Sequence, residues 1–232
     1  MQNFIPPCST DPVFDFSNPV LVSGTANEEG SVYKYTNVIP GVDAIVTLEF
    51  ISNAEVVAVD DESNDQFWFK PRTNVFDLNN GEEAYQQYHF GFVETGTSTP
   101  IVLEAINLLF VDIDGNFELG EFNWTEEPSS FTHNSPTDLS FVRDNSVQAY
   151  SGTQEQSGET VNFPRANFFV RYESRSELRF RFGILSRRNG LNINSGRQHG
   201  LIFTCPDNFS NPVTVDADFD NDGIPNLSLI HI

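Results

Sequence analysis

The stretch ELRFRFGIL, residues 177–185, decides the fold class of this 232-residue chain. Every second side chain in it is apolar, which is the pattern of a β-strand with one buried face. The apolar positions are Leu178, Phe180, Phe182 and Ile184. The same alternation places Arg179 and Arg181 on the opposite, solvent-facing side of the strand.

Segments of similar character recur along the chain, separated by clusters of Gly, Pro, Asn, Asp and Ser. They cover residues 31–38, 42–51, 54–61, 66–70, 88–94, 101–114, 139–142, 166–174 and 199–205. Many short strands with turns at regular spacing are typical of a two-sheet sandwich. The sequence therefore predicts an all-β fold, an antiparallel β-sandwich with a jelly-roll-like arrangement.

Two segments also allow a helical interpretation. GEEAYQQY, residues 81–88, is rich in helix-forming residues, and we expect one helical turn there at most. IVLEAINLL, residues 101–109, continues directly into FVDIDG. That continuation favours one long buried strand over residues 101–114 rather than a helix.

The overall composition fits a folded, extracellular protein. Hydrophobic residues make up 38% of the chain and include 22 Phe, which is ample for a core. The net charge of −21 argues against nucleic acid and anionic membranes as general partners. No run of about 18 apolar residues is present in the sequence, so we expect no membrane insertion.

These features divide the chain into four parts. Residues 1–11 form an N-terminal segment, 12–206 a single β-sandwich domain, 207–226 an acidic linker and 227–232 an apolar tail. The segment after Met1 lacks the basic start and apolar stretch of a signal peptide, and we expect the natural protein to begin further upstream.

The two cysteines, Cys8 and Cys205, bracket the predicted domain. A disulfide between them would close a long loop and could stabilise the fold by roughly 4–5 kcal/mol in the chain-entropy model. The alternative, two free and partly buried thiols, stays open because sequence does not show whether the two Cα atoms meet.

The acidic linker contains a calcium-loop motif. Asp218, Asp220 and Asp222 alternate and are followed by Gly223, as at the start of an EF-hand-type loop. Ile224 would offer its backbone carbonyl and Asn226 a water-bridged contact. The string DFDNDGIPN resembles the thrombospondin type 3 repeat, and the resemblance implies bound Ca²⁺. The alternative is a solvated acidic linker.

The tail LSLIHI, residues 227–232, resembles the translation of a transposon end used in DNA library preparation. We therefore expect it to be a sequencing-adapter scar, placed where the calcium loop needs its last acidic ligand but has Leu229. On this interpretation the natural protein continues into further acidic repeats. The alternative is a native apolar tail.

A second acidic cluster lies in FVDIDGNFELGEF, residues 110–122. Its oxygen-bearing side chains are Asp112, Asp114, Asn116, Glu118 and Glu121. Asp112 and Asp114 would share one face of a strand, where convergence is costly without a cation between them. A calcium ion at the sandwich rim is one interpretation, and an ordinary hairpin turn at Asp114–Gly115 is the other.

A third acidic group consists of Asp60, Asp61, Glu62 and Asp65. We expect it to be a solvated loop that could lend ligands to the second cluster if the fold brings them together.

Residues 165–197 are basic within a strongly acidic chain. The stretch carries eight arginines against only two acids, Glu173 and Glu177. Arginine forks suit carboxylates and sulfates, so Arg179 and Arg181 could bind an acidic polysaccharide or another partner. The default interpretation is that these arginines pair with acids on neighbouring strands.

The two tryptophans, Trp68 and Trp124, are candidates for stacking on sugar rings. If residues 66–70 form a strand, Phe67 and Phe69 share the core face and Trp68 is partly exposed on the other. The alternative for both tryptophans is ordinary core or sheet packing.

The order of motifs along the chain carries a further resemblance. The pattern SGT…NVIPGVDAIVTL…DIDGN…NSPTDLSF…FPRANFFVRYE…GRQHGLIF is similar to an uncharacterised module of large secreted and surface proteins from Bacteroidetes-type bacteria. The resemblance implies a surface location and a multidomain protein, and it carries no catalytic residues.

Enzyme chemistry finds little support in the sequence. Outside the tail the histidines His89, His133 and His199 are isolated, and no nucleophile or metalloprotease motif is present. The sequence therefore predicts a non-catalytic, calcium-stabilised spacer or adhesion module. The alternatives are a carbohydrate-binding module and a jelly-roll glycoside hydrolase or lyase, whose paired carboxylates so acidic a chain could supply.

Overall fold

The computed structural model describes residues 11–61, 67–156 and 161–216. Within these ranges the chain forms sixteen strands and one 3-10 helix, Pro164–Ala166. The strands are β1 Val20–Ser23, β2 Val32–Ile39, β3 Val42–Ser52, β4 Ala54–Ala58, β5 Arg72–Leu78, β6 Glu83–Glu94, β7 Leu103–Val111, β8 Leu119–Glu126, β9 Ser130–Asn134, β10 Ser140–Arg143, β11 Ser146–Tyr150, β12 Phe168–Arg175, β13 Glu177–Ser186, β14 Leu191–Gln198, β15 Gly200–Ile202 and β16 Pro212–Asp216.

The largest layer is an eight-stranded sheet in the order β1-β2-β3-β6-β13-β8-β11-β10. Its paired strands are antiparallel throughout. Strand β13, which contains the stretch 177–185, lies between β6 and β8 near the centre. Its four alternating apolar residues are fully buried, as predicted.

Two smaller sheets pack against the inner face of this layer. One has five strands in the order β15-β7-β12-β9-β16, and the other has three in the order β14-β5-β4. Phe90 and Phe180 of the large sheet lie 4.6 Å apart by ring centroids, within a core that includes Phe110 and Phe168 of the five-stranded sheet. The prediction of an all-β antiparallel sandwich is confirmed.

Strand β6 corrects the expectation of a helical turn at residues 81–88. Ala84, Gln86, Tyr88 and Phe90 alternate as fully buried residues along this strand. Pairing with β3 on one side and β13 on the other overrides the helix propensity of Glu, Ala and Gln.

Strand β7, Leu103–Val111, confirms a strand rather than a helix in the segment from residue 101, and its residues from Ile106 onward are buried. The strand is shorter than predicted. It ends at Val111, and Asp112 has a left-handed φ of 60°. The strand predicted over residues 66–70 is, in its described part, one isolated bridge between Phe69 and Leu201.

The sandwich extends beyond residue 206, where the sequence placed its end. Strand β16 pairs with β9 at the edge of the five-stranded sheet, so part of the expected linker belongs to the fold. The loop residues Asp218 to Asn226, the tail 227–232, Cys8, Glu62 and Asp65 lie outside the described residues. In the part of the chain that the structure describes, no helix has the length and apolar character needed to cross a membrane.

Candidate functional site

Most of the arginines in residues 165–197 are held by the protein itself. Six of them lie within 4.0 Å of a carboxylate; they are Arg165, Arg171, Arg175, Arg179, Arg188 and Arg197. Arg187 donates to four backbone carbonyls, those of Asn116, Leu119, Ser151 and Gly152. Six of the eight arginines are thus paired with acids of the protein, and Arg187 is held by backbone carbonyls instead.

Arg181 differs from the other seven. Its Nε donates to Oε1 of Gln87 at 2.7 Å. Its guanidinium carbon lies 4.5 Å from the centre of the Trp124 ring and 4.9 Å from that of Tyr85, which are cation–π distances. Within the described residues Arg181 makes no ion pair with a carboxylate. The guanidinium is thus held against two aromatic rings, with no carboxylate of the described residues beside it.

Strand register places Arg181 in a row that crosses the sheet. On the solvent-facing side of the eight-stranded sheet, which we call the outer face, Gln87 of β6 pairs with Arg181 of β13. Arg181 pairs in turn with Trp124 of β8, and Trp124 with Gln148 of β11. We call these four residues the polar row, and each of them is partly exposed.

An aromatic row runs beside the polar row, two residues further along each strand. Tyr85, Phe122 and Tyr150 stand in this register, and Gly183 of β13 lies between Tyr85 and Phe122. Ring centroids are 6.4 Å apart for Tyr85 and Phe122 and 5.5 Å apart for Phe122 and Tyr150. Phe50 of β3, which is 44% exposed, extends the row at 5.9 Å from Tyr85.

Arg179 lies on the outer face of β13, two residues before Arg181 and on the opposite side of the polar row from the aromatic row. Its Nε contacts both carboxylate oxygens of Glu49 at 3.1 and 3.2 Å, and its Nη1 lies 3.8 Å from Glu126. Two carboxylates therefore already accompany Arg179, whereas Arg181 has none among the described residues.

Trp68 lies away from the outer face. It is 7% exposed and packs with Leu109, Val111, Phe169 and Ile202 on the far side of the five-stranded sheet. The expectation of partial exposure depended on a strand at residues 66–70, which the described residues do not form. Of the two tryptophans, only Trp124 is placed to meet a ligand.

The acids of residues 110–122 are divided between separate partners. Asp112 follows the end of β7, and the Asn116 side chain accepts backbone hydrogen bonds from Glu118 at 2.8 Å and Leu119 at 3.1 Å. Glu118 pairs with Arg188 at 3.3 Å. Asp114 instead converges with Glu121 on the guanidinium of Arg197, which contacts both carboxylates.

This second cluster is buried inside the sandwich. Asp114 and Glu121 have side chains only 1% and 2% exposed. Burial raises the pKa of Glu121 to about 8 against the opposing effect of Arg197, and burial likewise raises the pKa of Asp114. Nδ1 of the buried His199 lies 4.0 Å from Glu121. Burial, with the charge of Arg197, lowers the pKa of His199 to about 3.

The other predicted sites are placed as follows. His89 lies on the outer face 3.1 Å from Glu177, and His133 contacts the carbonyl of Asn134. Asp60 accepts hydrogen bonds from Tyr35 and from the backbone of Lys70, and Asp61 pairs with Arg72. Among the described residues no three His, Cys, Asp or Glu side chains are grouped to hold a metal ion. The calcium loop and the Cys8–Cys205 disulfide stay predictions, because the loop and Cys8 lie outside those residues.

Sequence reasoning missed most of the outer-face residues around Trp124 and Arg181. Tyr85 and Gln87 fall in the segment interpreted as a helical turn, and Gln148 and Tyr150 fall in a strand that lacked a clear signal. Their alternation along β6 and β11 could have placed each on a solvent-facing side. Only the strand order shows that they stand next to β13 and β8.

Comparisons with known proteins bear on the fold. No protein-family model matches the chain, and a comparison with curated proteins finds no match. The N-terminal domain of the Streptococcus gordonii adhesin Sgo0707 is similar in structure, with a TM-score of 0.52 and 15% identity over 86% of this chain and 57% of that chain.

A second solved structure is that of glucan binding protein C of Streptococcus mutans, which is described as mediating sucrose-independent and sucrose-dependent adherence. It has a TM-score of 0.48 and 9% identity, over 79% of this chain and 61% of that chain. The present chain therefore spans less than two thirds of either structure. At 15% identity, the likeness to the first of these structures shows a shared β-sandwich fold alone.

Proposed function

We propose that this chain is a non-catalytic adhesion module of a larger extracellular or cell-surface protein, and that it binds carbohydrate through its outer face. The observation that carries the proposal is the side chain of Arg181, held between the rings of Trp124 and Tyr85 on an exposed sheet surface. The other seven arginines of residues 165–197 contact carboxylates or backbone carbonyls, whereas Arg181 uses only its Nε, on Gln87, among the described residues.

The chemistry of the two rows suits sugars. Aromatic rings pack against the apolar faces of a ligand, and the hydroxyl of Tyr or the indole N–H of Trp can still form a hydrogen bond. Both side chains have few rotatable bonds, so little conformational entropy is lost on binding. Gln148 stands at one end of the polar row, where its amide can exchange hydrogen bonds with hydroxyl groups. At the other end Gln87 accepts from Arg181 and donates to Glu49, which fixes the orientation of its amide. A few oriented polar groups beside an apolar surface are typical of small-ligand sites.

The adhesin-like fold supports a surface role. The N-terminal domain of the adhesin Sgo0707 has the same fold class, and its name describes a protein of bacterial attachment. We extend that role to this chain as part of the proposal, together with an extracellular location.

Binding to immobilised glycans tests the proposal directly. We expect the chain to bind at least one glycan of a broad array and Trp124→Ala to lose that binding. Phe76→Ala is the matched control, because Phe76 is an aromatic residue 52% exposed on β5, outside the outer face. Binding that survives Trp124→Ala, or no binding to any glycan, would overturn the proposal.

A hydrolase or lyase is the competing function. The buried acid pair Asp114 and Glu121 is engaged by Arg197 inside the sandwich rather than presented at the outer face. We therefore expect glycans that bind to be recovered with unchanged chain length. Release of new reducing ends or unsaturated products by wild type, abolished in Glu121→Gln, would establish the enzyme instead.

Calcium stabilisation remains part of the proposal and rests on the sequence of residues 216–226. Alternating carboxylates in a tight loop offer the oxygen ligands that Ca²⁺ prefers. We expect the melting temperature to be higher in Ca²⁺ than in chelator, and we expect this difference to be smaller in Asp220→Asn. If the thermal unfolding curves of the wild type in Ca²⁺ and in chelator coincide, the calcium proposal is wrong, and the glycan proposal is unaffected.

A further inference from the structure

The side chains of the outer face form rows that run across the strands, and strand register fixes their orientation. The polar row Gln87–Arg181–Trp124–Gln148 crosses four adjacent strands at right angles to them. Adjacent strands are about 4.8 Å apart, so the row spans roughly 14 Å. The aromatic row follows the same line, displaced by two residues along the strands, about 7 Å. A surface of this shape suits a chain molecule lying across the strands.

The two rows offer different chemistry along that line. The aromatic row presents the partly exposed rings of Tyr85 and Tyr150, with the buried ring of Phe122 packed between them. The polar row presents two amides, an indole and a guanidinium. A linear glycan has the same division, because the faces of its rings are apolar and their edges carry hydroxyl groups. Several consecutive sugar units can therefore lie along both rows at once.

Arg181 favours a ligand that carries a negative charge. Its Nε is used by Gln87, and within the described residues Nη1 and Nη2 have no hydrogen-bond acceptor. These two nitrogens carry the paired donors that match a carboxylate. Glu49 of β3 and Glu126 of β8 both contact Arg179, and Glu49 also accepts a hydrogen bond from Gln87. A carboxylate on the ligand would supply the counter-charge that the protein does not.

The rest of the protein limits how much charge the ligand can bear. The chain carries a net charge of −21, and a dense polyanion such as a heavily sulfated glycan is repelled by that field. One unpaired guanidinium in the polar row accommodates one carboxylate among several neutral sugar units. The charge pattern thus favours sparse carboxylates over dense sulfation.

We propose that the outer face binds a linear glycan containing uronic acid units, laid across the strands with one carboxylate on Arg181 and a neighbouring sugar ring on Trp124. This inference rests on the proposed function and narrows it to a ligand class. Trp124 contributes to the binding of any sugar chain on this face, whereas Arg181 selects the carboxylated one.

The test compares uronate glycans with their own carboxyl-reduced forms, measured as affinity for the full chain at one fixed ionic strength. Hyaluronan oligosaccharides, in which uronic acid alternates with a neutral sugar, are the sparse-carboxylate probe. Polygalacturonate oligosaccharides, with a carboxylate on every unit, are the second uronate probe, and heparin is the dense polyanion. We expect at least one uronate probe to bind about tenfold or more tightly than its reduced form and than heparin, which corresponds to loss of a charged hydrogen bond.

Variants assign that preference to one residue. We expect Arg181→Gln to remove the difference between each uronate and its reduced form, with Arg181→Lys keeping only part of it because the fork is lost. Arg188→Gln is the control, since Arg188 pairs with exposed Glu118 elsewhere on the molecule. We expect Trp124→Ala to weaken both forms of the ligand alike.

Failure of this inference differs from failure of the proposed function. Equal affinity for uronate and reduced forms, tighter binding of heparin, or a preference that persists in Arg181→Gln would overturn the carboxylate proposal while glycan binding stands. Absence of binding to every glycan would overturn both. The comparison of wild type with reduced ligands keeps the inference testable even if Arg181→Gln does not fold.

Discussion

The guanidinium of Arg197 lies between the buried carboxylates of Asp114 and Glu121 and hydrogen-bonds to both. For the acids of residues 110–122 the sequence leaves two interpretations open, a calcium ion or an ordinary hairpin turn. Two carboxylates converge at a cost unless positive charge separates them. The structure meets that requirement with a side chain from β14, more than seventy positions along the chain. The arrangement links the β7–β8 connection to the three-stranded sheet.

Replacement of Arg197 is expected to destabilise the fold strongly. Arg197→Gln would leave two carboxylates buried without a counter-charge, and breaking a buried ion pair from one side costs about 3–5 kcal/mol. Urea unfolding at a pH above 8, where Glu121 is ionised, measures the loss. Arg188→Gln serves as control, because its partner Glu118 is exposed and such pairs contribute about 0–1 kcal/mol.

A rescue experiment separates charge from packing at the same position. If unpaired charge causes the loss, Asp114→Asn and Glu121→Gln introduced together with Arg197→Gln should recover most of the stability. A triple variant no more stable than Arg197→Gln alone would show that packing, and not charge, holds this cluster together.

The buried cluster also explains which strands could be recognised in the sequence. Strand β13 is recognisable from the sequence because the inward side chains of the stretch 177–185 are all apolar. Strand β8 does not, because its inward residues Glu121, Asn123 and Thr125 are polar although all three are buried. Strand β14 contributes Arg197 to the same interior. Apolar alternation therefore identifies the aromatic part of the core and fails for the part lined by polar groups.

The candidate site was predictable only in fragments, for a related reason. Alternation assigns Arg181 to the solvent side of its strand. Trp124 belongs to β8, whose alternation is hidden, and Tyr85 lies in a segment with helical propensity. Their meeting depends on the order β6-β13-β8-β11, which brings together residues up to 96 positions apart through long connections. Single-sequence patterns hold no information on that order.

Glu121 is expected to make the fold less stable in alkaline solution. Its pKa is about 8 in the folded protein, because burial disfavours the charged form, against 4.5 as the ordinary value. The folded state therefore keeps a proton that the unfolded state releases. This contribution is fully present below pH 4.5 and is lost as the pH rises towards 8, with a slope of at most about 1.4 kcal/mol per pH unit.

Urea unfolding between pH 6.5 and 8.5 in wild type and Glu121→Gln checks this expectation. The wild-type free energy of unfolding should fall across that interval relative to the variant, which cannot ionise at residue 121. Parallel curves for the two proteins would contradict the raised pKa.

His199 is expected to have the opposite effect on the pH dependence of stability, because it lowers the free energy of unfolding in acid. Burial and the nearby Arg197 lower its pKa to about 3 from 6.5, so the unfolded state binds a proton that the folded state refuses. Stability from this group is present above pH 6.5 and lost as the pH falls towards 3. Chemical unfolding of His199→Leu should show a flatter acid limb than wild type. His89→Gln is the control, since His89 lies on the outer face beside Glu177, and an acid limb of unchanged slope in His199→Leu would refute the assignment.

Gly183 is expected to be required for the aromatic row. It faces outward on β13 between Tyr85 and Phe122, and a Cβ built there would overlap the ring of Phe122. Gly183→Ala should therefore push Phe122 out of the row and cost about 1–3 kcal/mol in unfolding free energy, as overpacking does. It should also weaken glycan binding through the displaced ring.

The matched control for this substitution is Gly91→Ala on the neighbouring strand β6. A Cβ at Gly91 meets nothing nearer than the Ile45 carbonyl oxygen at 4.0 Å, so stability and binding should stay close to wild type. If Gly183→Ala binds glycan as well as Gly91→Ala does, Phe122 is packing for the sheet and the ligand depends on Trp124 and Arg181 alone.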